Sequence, residues 1–164
     1  MMLLTLTTLF PALALALASP PIILPRQVPS NLTFTVTNFS AFMANPYIEG
    51  TQSNLSFHVI DPRPAHYAEV DCIIPPTYFS LWAITALYEY CGDRALDFQF
   101  QFQEGVVAVR RGWSEGGKSF VAIASQNPYW TNNGTSPNVT VTPTGKLYRR
   151  EGEWKFPVTR LQRA

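Results

Sequence analysis

The chain has 164 residues, and its twelve lysines and arginines nearly balance its eleven aspartates and glutamates, which leaves a formal net charge of +1. Such an even balance of charges predicts no nucleic-acid partner and no attraction to a charged membrane. A chain of this length can bury one substantial hydrophobic core, so a single folded domain is expected.

The first segment, residues 1–18, reads MMLLTLTTLFPALALALA and contains no charged side chain. An Ala-Leu-Ala motif at 16–18 matches the small-X-small pattern of a signal-peptidase site. A signal anchor is the competing reading, because a membrane span needs roughly 20 apolar residues. The two prolines at 20 and 21 and the lack of flanking positive charges favour cleavage. The segment therefore predicts an extracellular protein with no membrane insertion after cleavage.

Residues 19–30, SPPIILPRQVPS, hold four prolines and show no periodicity. This composition predicts a pro-segment or a loose arm. The folded domain is then expected to span residues 31–164.

The first strand signal lies in NLTFTVTNFS, at 31–40. Leu32, Phe34 and Val36 alternate with threonines, so they are expected to face the core. On a continuous strand Asn38 would share their face. Because FSAFMANP looks like a turn, we predict that the strand ends near Thr37 and that Asn38 lies in a loop.

Asn-X-Ser/Thr sequons are unusually frequent in this chain. Behind a signal peptide such a set predicts an N-glycosylated, exposed surface. The candidate acceptors are Asn31, Asn38, Asn54, Asn133 and Asn138.

The stretch NLSFHVID, at 54–61, alternates as a second strand, and the prolines of DPRPAH end it. His58 and His66 flank Asp61, an arrangement that suggests either a metal or proton-transfer cluster or two solvated histidines. His58 falls on the polar side of its strand, and His66 lies in a proline-rich loop, which favours solvated histidines.

Two cysteines occur, Cys72 and Cys91. In an exported chain an even count predicts a disulfide, which here would close a loop of about 20 residues and contribute about 3 kcal/mol of stability. Half of a metal site is the alternative, but neither histidine lies at ligand spacing from the cysteines.

Residues 80–91, SLWAITALYEYC, fit a helical period and also a strand near their end, so both assignments stay open. The clearest element follows in DFQFQFQEGVVAVRRGW. Its phenylalanines and glutamines alternate, and folding at Glu104-Gly105 pairs Phe102 with Val107, Phe100 with Val109 and Phe98 with Arg111.

Further strand signals lie in SFVAIAS and at residues 139–142 and 154–158. Several short strands separated by turns predict an all-β, antiparallel, single-domain β-barrel or sandwich with one disulfide.

Candidate binding residues are few, and no nucleophile elbow, phosphate loop, dinucleotide fingerprint or zinc-protease motif occurs. The hairpin places Arg111 on the core face, either at a strand end reaching water or inside a ligand cavity paired with an acid. Tyr129 and Trp130 could form an aromatic platform for sugars or belong to the core. No cofactor or metal site is predicted.

The order of motifs resembles the major-Alternaria-allergen-like family of small secreted fungal proteins. The resemblance rests on FTVTNFSAF, LSFHVIDP, the Asp-Cys pair at 71–72, YEYCGD at 88–93, FQFQF and the GW and FVAIAS stretches. It implies a compact β-barrel with Cys72 and Cys91 forming a disulfide, and an allergen-like protein without established enzyme activity. Trp130 stands where the family has a cysteine of a second disulfide, and the N-terminal cysteine of the family's covalent dimer is absent, so dimerisation stays open.

The resemblance implies the function of a secreted, non-enzymatic effector or elicitor that recognises a host or cell-wall component, such as a plant extracellular protein. The alternative is a carrier, either of a small aromatic, flavonoid-like ligand, as the resemblance implies, or of a carbohydrate. A hydrolase with an unrecognised pair of carboxylates is the third hypothesis.

Overall fold

The computed structural model describes residues 32–128 and 139–163. The predicted signal peptide at 1–18, the proline-rich segment at 19–30 and five of the candidate residues lie outside the described residues. These five are Asn31, Tyr129, Trp130, Asn133 and Asn138.

Strands dominate the described chain, joined by short turns, one turn of α-helix (α1) and two 3₁₀ turns, Pro64–His66 and Arg94–Leu96. In chain order the elements are β1 (Thr33–Ala44), β2 (Ser53–Asp61), β3 (Ala68–Thr77), α1 (Leu81–Ile84), β4 (Glu89–Tyr90), β5 (Phe98–Gln103), β6 (Val106–Glu115), β7 (Lys118–Gln126), β8 (Val139–Thr142), β9 (Gly145–Arg150) and β10 (Trp154–Arg163).

The strands form an antiparallel sheet in the order β3-β2-β1-β10-β7-β6-β5-β4, and the β8–β9 hairpin joins it through β9 and β1. The two ends of this path meet where a disulfide links Cys72 of β3 to Cys91, just after β4. Beside it the amide of Gly92 donates to the carbonyl of Asp71 at 2.9 Å. The sheet is therefore a nearly closed barrel, which confirms the predicted fold class and disulfide.

The β5–β6 hairpin has the predicted register, with Phe98, Phe100 and Phe102 opposite Arg111, Val109 and Val107. Gly105 occupies the turn with a φ of 76°, a left-handed conformation that glycine adopts without steric cost. All three phenylalanines are fully buried, as their alternation indicated.

The prediction that the first strand ends near Thr37 is wrong. Strand β1 continues to Ala44, and its register against β2 shifts between Thr37 and Ser40. Asn38 sits in this bulge with a φ of 55° and points to solvent. The extra residue changes the parity of the strand, so that Phe39 and Ala41 become buried after Val36.

The ambiguous stretch 80–91 contains both elements, because α1 is followed by the two-residue strand β4. Thr85, which is fully buried, fastens this segment to the sheet. Its hydroxyl accepts a hydrogen bond from the amide of Phe102 at 3.0 Å and lies 2.9 Å from the carbonyl of Leu81.

Large side chains fill the interior of the barrel. Phe57 meets Phe100 edge to face at a centroid distance of 5.2 Å, and Phe102 meets Tyr148 at 5.1 Å. The largest fully buried side chains are Phe34, Phe98, Phe100, Phe102, Phe156 and Tyr148.

Candidate functional site

The barrel has two ends of different chemistry. One, the Asp61 end, carries the connections 62–67 and 91–97; the other, the α1 end, carries the connections 45–52, 78–88, 104–105 and 143–144. The candidate residues of the described chain are best understood by the end to which they belong.

At the Asp61 end a fully buried carboxylate lies between two guanidinium groups. Arg63 donates to Asp61 through Nε at 2.9 Å and through Nη2 at 2.6 Å. Arg111 donates through Nη1 to the same carboxylate and to the backbone carbonyl of His66. Arg63 also lies over the ring of Trp113, with its guanidinium carbon 3.9 Å from the ring centroid.

The prediction that Arg111 reaches water at a strand end is wrong. The residue is 6% exposed, and its guanidinium lies over Phe98 at 4.8 Å. Burial lowers the pKa of Arg111 below its ordinary value, and the charge of Asp61 opposes that effect. The alternative prediction placed Arg111 in a ligand cavity and paired it with an acid; the pairing with Asp61 is present, whereas the ligand cavity stays a prediction. Through its bond to the His66 carbonyl, Arg111 also holds the 62–67 connection against β6.

The two histidines face different carboxylates and do not form one cluster. His58 Nδ1 lies 2.8 Å from Asp71 and its Nε2 lies 3.6 Å from Glu69. His66 Nε2 lies 3.6 Å from Glu115. Within residues 32–128 and 139–163, no group of three metal-ligating side chains converges.

At the α1 end large apolar side chains point to solvent. Tyr47 is 92% exposed, Leu87 91%, Tyr78 73% and Phe79 72%. Ile48 and Val141 are also exposed at this end. Among the described residues, the four connections named for this end carry two charged residues, Glu49 and Glu104.

Two depressions lined by described residues open at the α1 end. Both are lined by Trp82 and by residues 43–46, where β1 ends and the β1–β2 connection begins. The first, of about 280 Å³, lies against the β8–β9 hairpin and is lined there by Val141, Lys146 and Tyr148. The second, which we call the Tyr78 cleft, has a volume of about 480 Å³. Its further lining residues include Ile48, Glu49, Thr51, Tyr78 and Ser80.

Trp82 is held in place between these depressions. Its backbone carbonyl accepts a hydrogen bond from the side-chain amide of Gln103 at 2.7 Å, and the amide of Gln101 donates to the carbonyl of Ala86 at 2.9 Å. The Trp82 indole nitrogen finds no acceptor among the described residues. The glutamine face of β5 therefore anchors the segment that carries the exposed aromatic residues.

Of the two sequons inside the described chain, Asn38 is exposed in its bulge, whereas Asn54 is partly buried in β2 opposite Phe42. The geometry makes Asn38 the more accessible acceptor of the two.

Sequence reasoning missed the α1 end. The signal was present in the turn segments, where NPYIEG and TYFS place apolar residues among turn-forming ones. Alternation of apolar and polar residues identifies strands, so it gave no information on these connections.

Comparison with known proteins finds no matching family model, no matching curated protein and no matching solved structure. Among the described residues no helix is long and apolar enough to span a membrane. The Cys72–Cys91 disulfide is typical of a protein outside the cytosol.

Proposed function

We propose that the chain is a secreted, non-enzymatic recognition protein of the effector or elicitor type, similar to the major-Alternaria-allergen-like family, and that its α1 end binds a host or cell-wall component. The signal peptide predicted from the sequence and the disulfide support an extracellular site of action.

The exposed apolar surface of the α1 end is the observation that carries this proposal. Contiguous apolar patches on a soluble protein mark interaction sites, and interface centres are rich in aromatic and poor in charged residues. Tyr78, Phe79 and Leu87 fit that composition. Complete burial of each such side chain by a partner would contribute about 1.5–3 kcal/mol.

The surface is also preorganised for binding. The hydrogen bonds from Thr85, Gln101 and Gln103 tie residues 81–86 to β5. A surface already held in one conformation loses less conformational entropy when a partner binds.

A small-ligand carrier is the second candidate, and the 280 Å³ depression beside the β8–β9 hairpin favours it. Its lining of Met43, Pro46, Trp82 and Val141 suits an uncharged aromatic molecule. Because phenylalanines fill the barrel interior, such a ligand would bind at the barrel end.

The proposal is tested by affinity capture from plant extracellular fluid with the mature, glycosylated protein and a Phe79→Ser/Leu87→Ser variant. Saturable capture of a wall or host component should be lost in the variant, because both side chains lie at the α1 end. Ile73→Ser is the matched control, since Ile73 is 59% exposed but lies on β3, beside the disulfide. Equal capture by all three proteins, or no saturable capture by the wild type, would overturn the proposal.

A further inference from the structure

We infer that the Tyr78 cleft is a binding site for a neutral oligosaccharide. The inference rests on the proposed function, because it names the chemical class of the component that the α1 end recognises. It concerns the cleft between the β1–β2 connection and the segment before α1.

The size and shape of the cleft suit a short stretch of a sugar chain. Its volume of about 480 Å³ lies within the range of about 300–1,000 Å³ that is usual for small-ligand sites. Phe79 and Leu87, which are also exposed in this segment, do not line it. The cleft is thus a concave part of the α1 end, distinct from these exposed apolar side chains.

Aromatic side chains supply the first requirement of sugar recognition, a flat apolar surface for the C–H face of a pyranose ring. Tyr78 is 73% exposed beside the cleft, and Trp82 forms part of its lining. Both combine an apolar ring with a polar group, which suits a ligand that is apolar on its faces and polar at its edges.

The second requirement of sugar recognition is polar side chains that can form hydrogen bonds with the sugar hydroxyls. Ser80 occupies the N-cap position of α1 without a capping hydrogen bond from its side chain. Glu49 is exposed and forms no ion pair within the described part of the chain. A carboxylate and a hydroxyl can receive and return the hydrogen bonds of sugar hydroxyls.

Asn45 lines the same cleft, but its side chain is hydrogen-bonded within the protein. Its side chain donates to the carbonyl of Pro143 at 3.3 Å and accepts from the amide of Tyr47 at 3.1 Å. These bonds fix the β1–β2 connection beside the β8–β9 turn and so shape the wall of the cleft.

The charge of the cleft selects neutral sugars over acidic ones. Glu49 is the charged residue of the cleft lining, whereas Lys146 lies in the neighbouring depression. A polyuronate in the cleft would meet the like charge of Glu49, and unpaired like charges oppose binding.

The test uses isothermal titration of the full mature protein with three probes: cellohexaose, the hexamer of N-acetylglucosamine, and hexagalacturonate. We expect saturable binding of a neutral hexamer and no binding of hexagalacturonate. Tyr78→Ala should weaken binding of the neutral hexamer about tenfold, because it removes the exposed aromatic ring on which a pyranose would stack. Glu49→Gln should reduce the discrimination against hexagalacturonate.

Ile73→Ser is the matched control, because Ile73 is 59% exposed but lies on β3 outside the cleft, and it should leave the hexamer affinity unchanged. The inference is overturned if neither neutral hexamer binds, or if Tyr78→Ala binds as tightly as the wild type. Plant-fluid capture that stays sensitive to Phe79→Ser/Leu87→Ser while neither hexamer binds would leave the proposed function standing and identify its partner as something other than a neutral glycan.

Discussion

The two ends of the barrel differ in which side chains they bury and which they expose. At the Asp61 end charged groups are buried and paired, with Asp61 fully enclosed between Arg63 and Arg111. At the α1 end apolar groups are exposed, and Tyr78, Phe79 and Leu87 face solvent. Each end therefore departs from the usual rule that apolar residues lie inside and charged residues outside.

We propose that the Asp61 end serves stability and that the α1 end serves binding. A buried carboxylate needs its partners to remain in place, so the Asp61 end tolerates little change. Exposed apolar side chains contribute little to folding and gain most when a partner covers them. We therefore expect substitutions at the two ends to affect different measurements.

The largest effect is expected from Asp61→Ala. The substitution leaves the buried guanidinium of Arg111 without its carboxylate, and breaking a buried pair in this way costs about 3–5 kcal/mol. The free energy of unfolding in denaturant, measured on the purified protein, should fall by that amount.

Asp71→Ala is the matched control, because the Asp71 side chain is 67% exposed and pairs with the partly exposed His58. An exposed pair of this kind is worth at most about 1 kcal/mol. The double variant Asp61→Ala/Arg111→Met should be more stable than Asp61→Ala alone, since it removes the unpaired charge. Equal losses for Asp61→Ala and Asp71→Ala would contradict a buried ionic cluster.

A second, smaller effect is expected from the disulfide that joins β3 to the chain after β4. Replacing Cys72 and Cys91 together by alanine removes the link between β3 and the chain after β4. For a loop with a sequence separation of 19, the chain-entropy model gives a loss of about 3 kcal/mol.

Reductant provides the control for this prediction. It should lower the unfolding free energy of the wild type toward that of the Cys72→Ala/Cys91→Ala variant, and leave the variant unchanged. A wild type that keeps its stability when fully reduced would show that the remaining contacts hold the barrel closed without the disulfide.

The regular parts of the fold could be predicted from the sequence. The phenylalanine alternation of β5 fixed its register with β6, because a slip by one residue would move every phenylalanine to the outer face. The disulfide could also be predicted, since the chain offers a single pair of cysteines.

The irregular parts could not be predicted in the same way. Asn38 adopts a left-handed φ inside β1, and the local pattern around it is equally compatible with a strand end. After the bulge, β1 pairs with β2 on one side and with β9 on the other, and β9 lies more than a hundred residues away in sequence. Arg111 is a similar case, because its burial depends on the connection that carries Arg63 and His66.

The α1 end shows a third limit. Its exposed apolar surface comes from segments that are far apart in sequence, such as those bearing Tyr47, Phe79 and Val141. Periodicity identifies strands and their faces, but it does not say which turns meet at the same end of a closed sheet.

The smallest effect on folding is expected from the Phe79→Ser/Leu87→Ser variant at the α1 end. These side chains are 72% and 91% exposed, and surface substitutions away from packed features usually change stability by less than about 0.5 kcal/mol each. The unfolding free energy should stay within about 1 kcal/mol of the wild type, whereas Phe100→Ala, in the filled core, should cost about 3–5 kcal/mol. Because the variant removes large apolar groups without disturbing the fold, loss of partner capture in it can be assigned to the surface itself. A loss of stability approaching that of Phe100→Ala would mean that the barrel packs on these side chains, and the separation between a stabilising end and a recognising end would then fail.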